Sequence, residues 1–506
     1  MAETGSVERS FELGFKSDIP RGSLPPGAVY RMKDYIPQLG AHARKRGGWS
    51  YASKDLNSAS AATYLSGVAW APYATDPHLI AVSEGGKVYQ VKTFDGTAGT
   101  YLGTTSFSAL THRPFWHNDR MIILQALGAA VADPYKITVS GAVYTLAAVG
   151  GTPPKARVGW TWGDYLALAN GTVGGVAYPN RAWFSDAGDP ETWTTGSSFW
   201  DFPEEVVAGT MMRTFQMVWG YSNTWMLTGD TPPPGGNFAR RTLFAGNGCM
   251  DGRTLSKYRE YAIWANNTGV FKSDGSTLTD MTVKGDVSQF WNDTVANFNY
   301  STGWRATADV WNGYYFITIY NPTGPVEVTL ACDIERTVWF QVTNFPATMF
   351  AVRSSGPGTA TAGGFEEMFF ANRSSPRACS VSSCWDPTST VAADADGTNV
   401  LPEIETDFFQ LGGPSLKRIR RAYVSYDVRT AGASPYLTVS AVFSPEDTNY
   451  TTLTPTLTTS TKLERKPVAI NKRATGVGLK IVQTGASADT RLHGIEIEAH
   501  PLEKSR

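Results

Sequence analysis

Seven times between Trp70 and Trp385 an apolar, aromatic-rich run enters a Gly, Asn or Asp tip and leaves as another apolar run. The tips are Gly85-Gly86, Asn118-Asp119, Gly163-Asp164, Asn223, Asn266-Asn267, Asn312-Gly313 and Gly363-Gly364. The runs that follow them, among them VYQV, YLALAN and YYFITIY, are rich in β-branched and aromatic residues, which pack well on a pleated surface. Most steps between tips are roughly 45 residues, the length of one propeller blade. The pattern predicts an all-β chain built on a β-propeller of about six or seven blades.

Composition agrees. Fifty Gly, 29 Pro and 12% aromatics favour short strands and tight turns, with little helix. A length of 506 residues suits one large domain plus a smaller one. Lys and Arg number 44 against 45 Asp and Glu, so no bulk field draws the chain to nucleic acid or membrane, and local patches carry any electrostatic role. Four cysteines, Cys249, Cys332, Cys379 and Cys384, are too sparse for a disulfide scaffold. Cys379 and Cys384 could meet across a hairpin or share a metal; buried free thiols are the preferred reading. The opening MAETGSVERSFELGF lacks the marks of a secretory signal, and no apolar run reaches the roughly 20 residues of a membrane span. A reducing cytoplasm is the expected compartment, and no membrane insertion by this chain is expected.

Residues 1–48 differ in kind. Pro20, Pro25, Pro26 and Pro37 break any long element, and the segment ends in Arg44-Lys45-Arg46 before Trp49, which predicts an extended Pro-rich N-terminal arm. The propeller is expected over 49–400. Within it, Asn180 to Trp193 pairs an apolar strand with an Asp, Gly and Pro turn, where Asp186 is expected to accept turn amides and Trp193 to fold back. The loop Thr231, Pro232, Pro233, Pro234, Gly235 and Gly236 fits neither helix nor central strand and must project. From 401 to 506 runs such as Leu437–Phe443 and His493–Glu498 alternate strictly, predicting a C-terminal β-sandwich, or one whose first strand closes the last blade.

Catalytic signatures are missing. His112 and His117 are separated by Pro114, which denies them one helical face, and neither phosphate-binding glycine pattern occurs. Glu204-Glu205 and Glu366-Glu367 are adjacent, so on a strand each pair points to opposite faces, unlike a glycosidase dyad. Arg213, Arg240, Arg241 and Arg353 are scattered and form no motif. No catalytic residue, metal or cofactor is expected. Two basic clusters remain as candidate contacts to phosphates or an acidic partner: Arg44, Lys45 and Arg46, and Lys417, Arg418, Arg420 and Arg421 around Ile419. Solvated faces are the competing reading of both.

Leu24-Pro-Pro-Gly-Ala-Val-Tyr30 followed by Ala43-Arg-Lys-Arg-Gly-Gly-Trp49 resembles the opening of phage tail hub proteins, the nozzle or packaged-DNA-stabilisation propellers. Tyr178 to Trp193 is similar to the blade phrase of that family, as are Tyr314 to Tyr320 with Ala331 to Trp339. Lys417 to Val424, Val477 to Ile481 and Leu492 to Glu498 resemble its C-terminal sheet. The resemblance implies a non-enzymatic virion protein, assembled in the host cytoplasm into a homo-oligomeric, probable hexameric, ring of the tail. It also implies a portal-adaptor ring and tail fibres or spikes as partners, and genomic double-stranded DNA passing through the lumen. The Thr231–Gly236 loop would then gate that lumen or face the fibres. A receptor- or glycan-binding propeller (tail spike or lectin), with Trp160, Trp162, Trp200 and Trp225 as sugar platforms, is the alternative, and a glycoside hydrolase a third.

Overall fold

The computed structural model describes residues 5–501 apart from 10, 22, 39–41, 47, 57–63, 72–77, 92–98, 108–110, 112, 127–130, 297–303, 322–326, 354–366, 382–392, 411–415, 429–436, 454–456, 458–461 and 484–489. Its strands fall in sequence into seven antiparallel blades, within residues 65–104, 115–148, 155–201, 208–245, 256–280, 305–342 and 347–380. The first strands of neighbouring blades face one another, as Arg305–Trp311 faces Ala347–Arg353, which in turn faces Leu65–Ala71. These strands therefore ring the propeller axis.

Each blade contributes one turn tip from the sequence pattern, but the tips are of two kinds. Asn118, Gly163 and Asn312 join first to second strands, whereas Gly86, Asn223 and Asn266 lie at second-to-third connections. Gly86, Asn118, Gly163 and Asn312 adopt φ of 71°, 52°, 54° and 51°, the left-handed region that Gly and Asn enter most readily. Asn266 works through its side chain instead, Oδ1 accepting the Thr268 and Gly269 amides at 2.7 and 3.0 Å. The Gly363-Gly364 tip lies outside the described residues.

The core sits between blades. Trp160, Trp162 and Phe184 of the third blade meet Trp225 and Leu227 of the fourth, and Trp219 and Trp264 couple the fourth to the fifth with ring centroids 5.4 Å apart. Leu65, Val68 and Trp70 of the first blade pack on Met349 and Phe369 of the seventh, the Trp70 and Phe369 rings stacked at 6.2 Å. That contact closes the circle. The seventh blade takes its outer strand, Ser50–Tyr51, from ahead of the first, with Tyr51 opposite Cys379 and Ser50 opposite Ser380. Closure thus comes from the N-terminal side and not from the sandwich.

Residues 403–501 form a two-sheet sandwich that the first 48 residues complete. Gly5–Arg9, Tyr35–Pro37 and Ala43–Lys45 extend the sheet of Thr490–Pro501, Lys417–Val428 and Glu464–Ala474. Arg31–Lys33 lies between Val338–Val342 of the sixth blade and Glu403–Gln410 of the second sheet, so one nine-stranded sheet runs from propeller into sandwich. The segment expected as an arm is thus tied down: its strands Gly5–Arg9, Arg31–Lys33, Tyr35–Pro37 and Ala43–Lys45 are paired in these ladders. Downstream of Phe11, Asp18 caps the helix Ser288–Val295, its carboxylate accepting the Ser288 and Gln289 amides at 2.8 and 2.7 Å.

The basic run at the end of this segment is interior. Arg44, Lys45 and Arg46 are 6%, 2% and 1% exposed, which corrects the expectation that they meet a partner or DNA. Arg46 Nε donates to Asp34 at 2.7 Å, and Nη1 and Nη2 to Asp394 at 2.9 and 3.1 Å, while Nη2 also reaches the Thr343 carbonyl at 2.7 Å. Asp394 accepts the Trp49 amide and the Asn344 amide group as well, at 3.0 and 2.9 Å. Burial raises the Asp394 carboxyl, and Arg46 works against that rise. Burial lowers the Lys45 ammonium to about 8, with Arg46 adding to the effect and Asp34 and Asp394 opposing it. Gly48 permits the approach, because a Cβ there would stand 1.9 Å from the Ala393 carbonyl oxygen.

Replacing Arg46 by Ala would leave Asp34 and Asp394 buried without their cation and should destabilise the fold by about 3–5 kcal/mol. Urea unfolding of the variant measures this, and an unchanged midpoint would show that the buried triad carries no stability.

Candidate interaction surface

The second basic cluster has the opposite fate, set by the period of the strand that carries it. Lys417–Val428 is paired on both edges, by Thr490–Pro501 and Glu464–Ala474, and the second sheet of the sandwich covers one of its faces. Ile419, Ala422, Val424 and Tyr426 point into the sandwich, at 0–1% exposure. Arg418, Arg420 and Arg421 are exposed. Lys417 is buried at 6% exposure, which removes it from the expected contact set. A bulge between Ile419 and Arg421 leaves Arg420 unpaired in both ladders, and the extra residue sets Arg421 on the outer side together with Arg418 and Arg420.

Pairing then adds residues that the sequence pattern did not single out. Arg418 stands directly opposite Arg473, and Ile419 opposite Lys472, on Glu464–Ala474. Arg418, Arg420, Lys472 and Arg473 are all exposed, and none makes an ion pair with a described carboxylate. Further along the sheet the charge is compensated. Arg421 lies 3.5 Å from Glu498, and Arg465 lies 2.6 Å from Glu496 while stacking over the Tyr423 ring at 3.7 Å. Burial works to raise the Glu498 carboxyl, but hydrogen bonds from His500 and Tyr423 and the Arg421 charge outweigh it and hold it below its usual range. The outer face is therefore polarised, neutral toward Ser425 and positive toward Arg418.

Like charges directly opposed on one face cost stability, so the Arg418–Arg473 pair weakens the sheet where it stands. The cluster's chemistry suits phosphate or carboxylate groups, which guanidinium binds in bidentate fashion.

The Thr231–Gly236 loop joins the two outer strands of the fourth blade, Asn223–Thr228 and Ala239–Ala245, so it stands at the propeller rim, away from the axis. It is tied down by Asn237, whose Oδ1 accepts the Asp230 and Thr231 amides at 3.0 and 3.1 Å.

At the centre, the connection between the first and second blades sends Arg113 across the axis. Its guanidinium donates to the Leu255 carbonyl at 3.0 Å and to the Ala308 carbonyl, and lies 3.4 Å from Asp309. Those groups belong to the fifth and sixth blades, three steps from the second either way round a ring of seven. The axis is spanned at that level.

The other sequence candidates disperse. Glu204 accepts the Asn223 amide at 2.8 Å and Glu205 the Asn170 amide group at 2.7 Å, so the two carboxylates serve different turns. Glu367 pairs with Arg353 at 3.2 Å, and its neighbour Glu366 lies outside the described residues. In the Asn180–Trp193 corner it is Asp189, not Asp186, that accepts the turn donors, from Glu191 N at 2.9 Å and the Thr192 hydroxyl at 2.7 Å. Trp193 does fold back, opposite Ser185. Trp160, Trp162 and Trp225 are 1–4% exposed and Trp200 packs beside them, which removes the first three as sugar platforms. Cys249, Cys332 and Cys379 are buried free thiols; Cys384 and His112 lie outside the described residues. No group of three or more metal-ligating side chains converges among the described residues.

No family model and no curated protein sequence matches the chain. Among solved structures, Saccharomyces cerevisiae Sqt1 is 7% identical, covering 66% of this chain and 98% of its own, with a TM-score of 0.38. The WD40 β-propeller domain of Doa1 is 11% identical, covering 66% and 97%, with a TM-score of 0.34. The propeller assignment stands on the seven consecutive sheets and their closed ring of cores.

Two measurements follow. Arg473→Glu should turn a cross-strand repulsion into an attraction and stabilise the sandwich by up to about 1 kcal/mol, read as a raised denaturant midpoint. Burial, reinforced by Arg120, lowers the His117 imidazole from 6.5 to about 4. The unfolded chain then binds a proton that the folded one refuses, so stability is full above pH 6.5 and is lost as pH falls through about 4. His117→Gln should flatten that acid limb of the stability profile.

Proposed function

We propose that the protein is a non-enzymatic structural subunit of a bacteriophage tail, forming a homo-oligomeric hub or nozzle ring below the portal-adaptor that retains packaged DNA and conducts it at infection. The observation that carries the reading is the uncompensated cluster of exposed Arg418, Arg420, Lys472 and Arg473 at one end of the sandwich, set on a chain whose net charge is −1. A polyanion or an acidic partner surface is what such a cluster recognises, and confining the charge to one patch leaves the rest of the wall neutral.

The spanned propeller axis bears on how DNA would pass. With Arg113 across the centre, a conduit has to be the space enclosed by several subunits and not the hole of one propeller. The shared sheet between sixth blade and sandwich supports a subunit that bears load as one body. A glycan-binding role finds less support, since the buried Trp side chains offer no platform.

Mass photometry and cryo-EM of the purified protein, alone and mixed with a portal-adaptor complex, test the reading. Rings or co-assembly are expected; a stable monomer that ignores the adaptor and binds oligosaccharide would overturn it. In parallel, binding to double-stranded DNA should weaken with salt, and each cation removed by Arg418→Ala, Arg420→Ala or Arg473→Ala should lower the log–log salt slope by about 1 if it meets phosphate.

A further inference from the structure

Two of the arginines that look scattered in the sequence, Arg213 and Arg241, share a neighbourhood with Arg259. The turn after Ala208–Met211 in the fourth blade and the turn after Ser256–Tyr258 in the fifth flank a groove of ≈ 780 Å³ on one propeller face. Arg213, Arg241 and Arg259 line it together with Lys257. Arg213 and Arg259 are already engaged, with Glu260 at 3.2 Å and Glu335 at 2.8 Å. Among the described residues Arg241 and Lys257 have no carboxylate partner: Arg241 Nε meets the Met226 sulfur, at 3.2 Å, and Lys257 Nζ donates to the Met211 carbonyl.

Between these cations the wall is soft and apolar. Met211, Met226 and Phe215 supply it, and thioether side chains adapt to apolar groups of varied shape. Phe215 is held in place by a neighbour without a side chain, since a Cβ on Gly275, at φ 92°, would stand 2.2 Å from its ring. Two carboxylates share the lining: Asp274, pulled down to about 2 by hydrogen bonds from the Thr277 and Ser276 amides, and Glu260, paired with Arg213. The cations Arg213, Arg241, Lys257 and Arg259 outnumber these two acids, so the groove offers net positive charge beside an apolar wall.

We propose that this groove binds an acidic peptide segment of a partner protein, its carboxylates meeting Arg241 and Lys257 and a large apolar side chain resting on Met211, Met226 and Phe215. The exposed Arg213–Glu260 pair crosses the mouth between the two turns and opens at little cost, because surface ion pairs are weak. The site lies on the propeller and the basic cluster on the sandwich, so the inference holds whether or not the chain forms a ring.

Fluorescence anisotropy with the full-length protein tests it, using a labelled peptide of glutamates flanking a Leu-Phe core, the same peptide with every Glu replaced by Gln, and an oligogalacturonate as an acidic sugar. The acidic peptide should bind in a salt-sensitive way, and the Gln peptide about tenfold or more weaker, the change expected for losing one charge pair. Arg241→Glu, at an exposed position, should weaken the acidic peptide by a similar factor with no change in melting temperature. Phe215→Ala should weaken both peptides alike, separating the apolar contact from the charge. The proposal is overturned if neither peptide binds, if the Gln peptide binds as well as the acidic one, if Arg241→Glu leaves binding intact, or if oligogalacturonate binds as tightly as the peptide.

Discussion

One guanidinium holds together segments that the chain order keeps far apart. Arg46 joins Asp34, a turn between two strands of the N-terminal segment, to Asp394, which follows the last blade, and to Thr343 at the junction of the sixth and seventh blades. Three consequences hang on it. The strand Ser50–Tyr51, four residues on, is aimed at the edge of the seventh blade, and so the propeller closes. Arg31–Lys33, upstream, is held between sixth blade and sandwich. The sandwich is thereby fixed to the propeller through a continuous sheet and a shared apolar core. Each ion in this triad would be costly alone; the pairing is what makes an interior site tenable.

The two basic clusters look alike in the sequence and differ completely in the fold. Around Ile419 a two-residue period with apolar partners places Arg418 and Arg420 on the outer side, and a bulge turns Arg421 outward as well. At Arg44 to Arg46 the carboxylates that decide the matter are Asp34 and Asp394, the latter 348 residues away, and no local pattern announces such a partner. The same limit hid Lys472 and Arg473, whose importance depends on which strand lies beside Lys417–Val428. It also hid the neighbourhood in which Arg213 and Arg241 of the fourth blade meet Lys257 and Arg259 of the fifth.

What was legible was what local chemistry controls. Turn tips need left-handed backbone or an Asn side chain, so each announces a hairpin and their repeat announces the propeller. First-to-second and second-to-third hairpins ask for the same residues, so the tips could mark blades without saying which strand each one ended. The large indoles were not decided by their strand context: the structure buries Trp160, Trp162 and Trp225, which the sequence left open as sugar platforms, and buries Trp219 and Trp264 between the fourth and fifth blades. The functional expectation rests on resemblance alone, since no residue pattern in the chain demands a reaction.

Under the proposed reading, the basic end of the sandwich is where the subunit meets negative charge and the propeller is the body that positions it. A cryo-EM reconstruction of the protein assembled with a portal-adaptor complex tests this most directly. The account predicts a ring in which Arg418, Arg420, Lys472 and Arg473 face the lumen or the adaptor, while each propeller axis stays spanned by Arg113. A ring that turns those four side chains to bulk solvent, or DNA threaded through a single propeller, would contradict it.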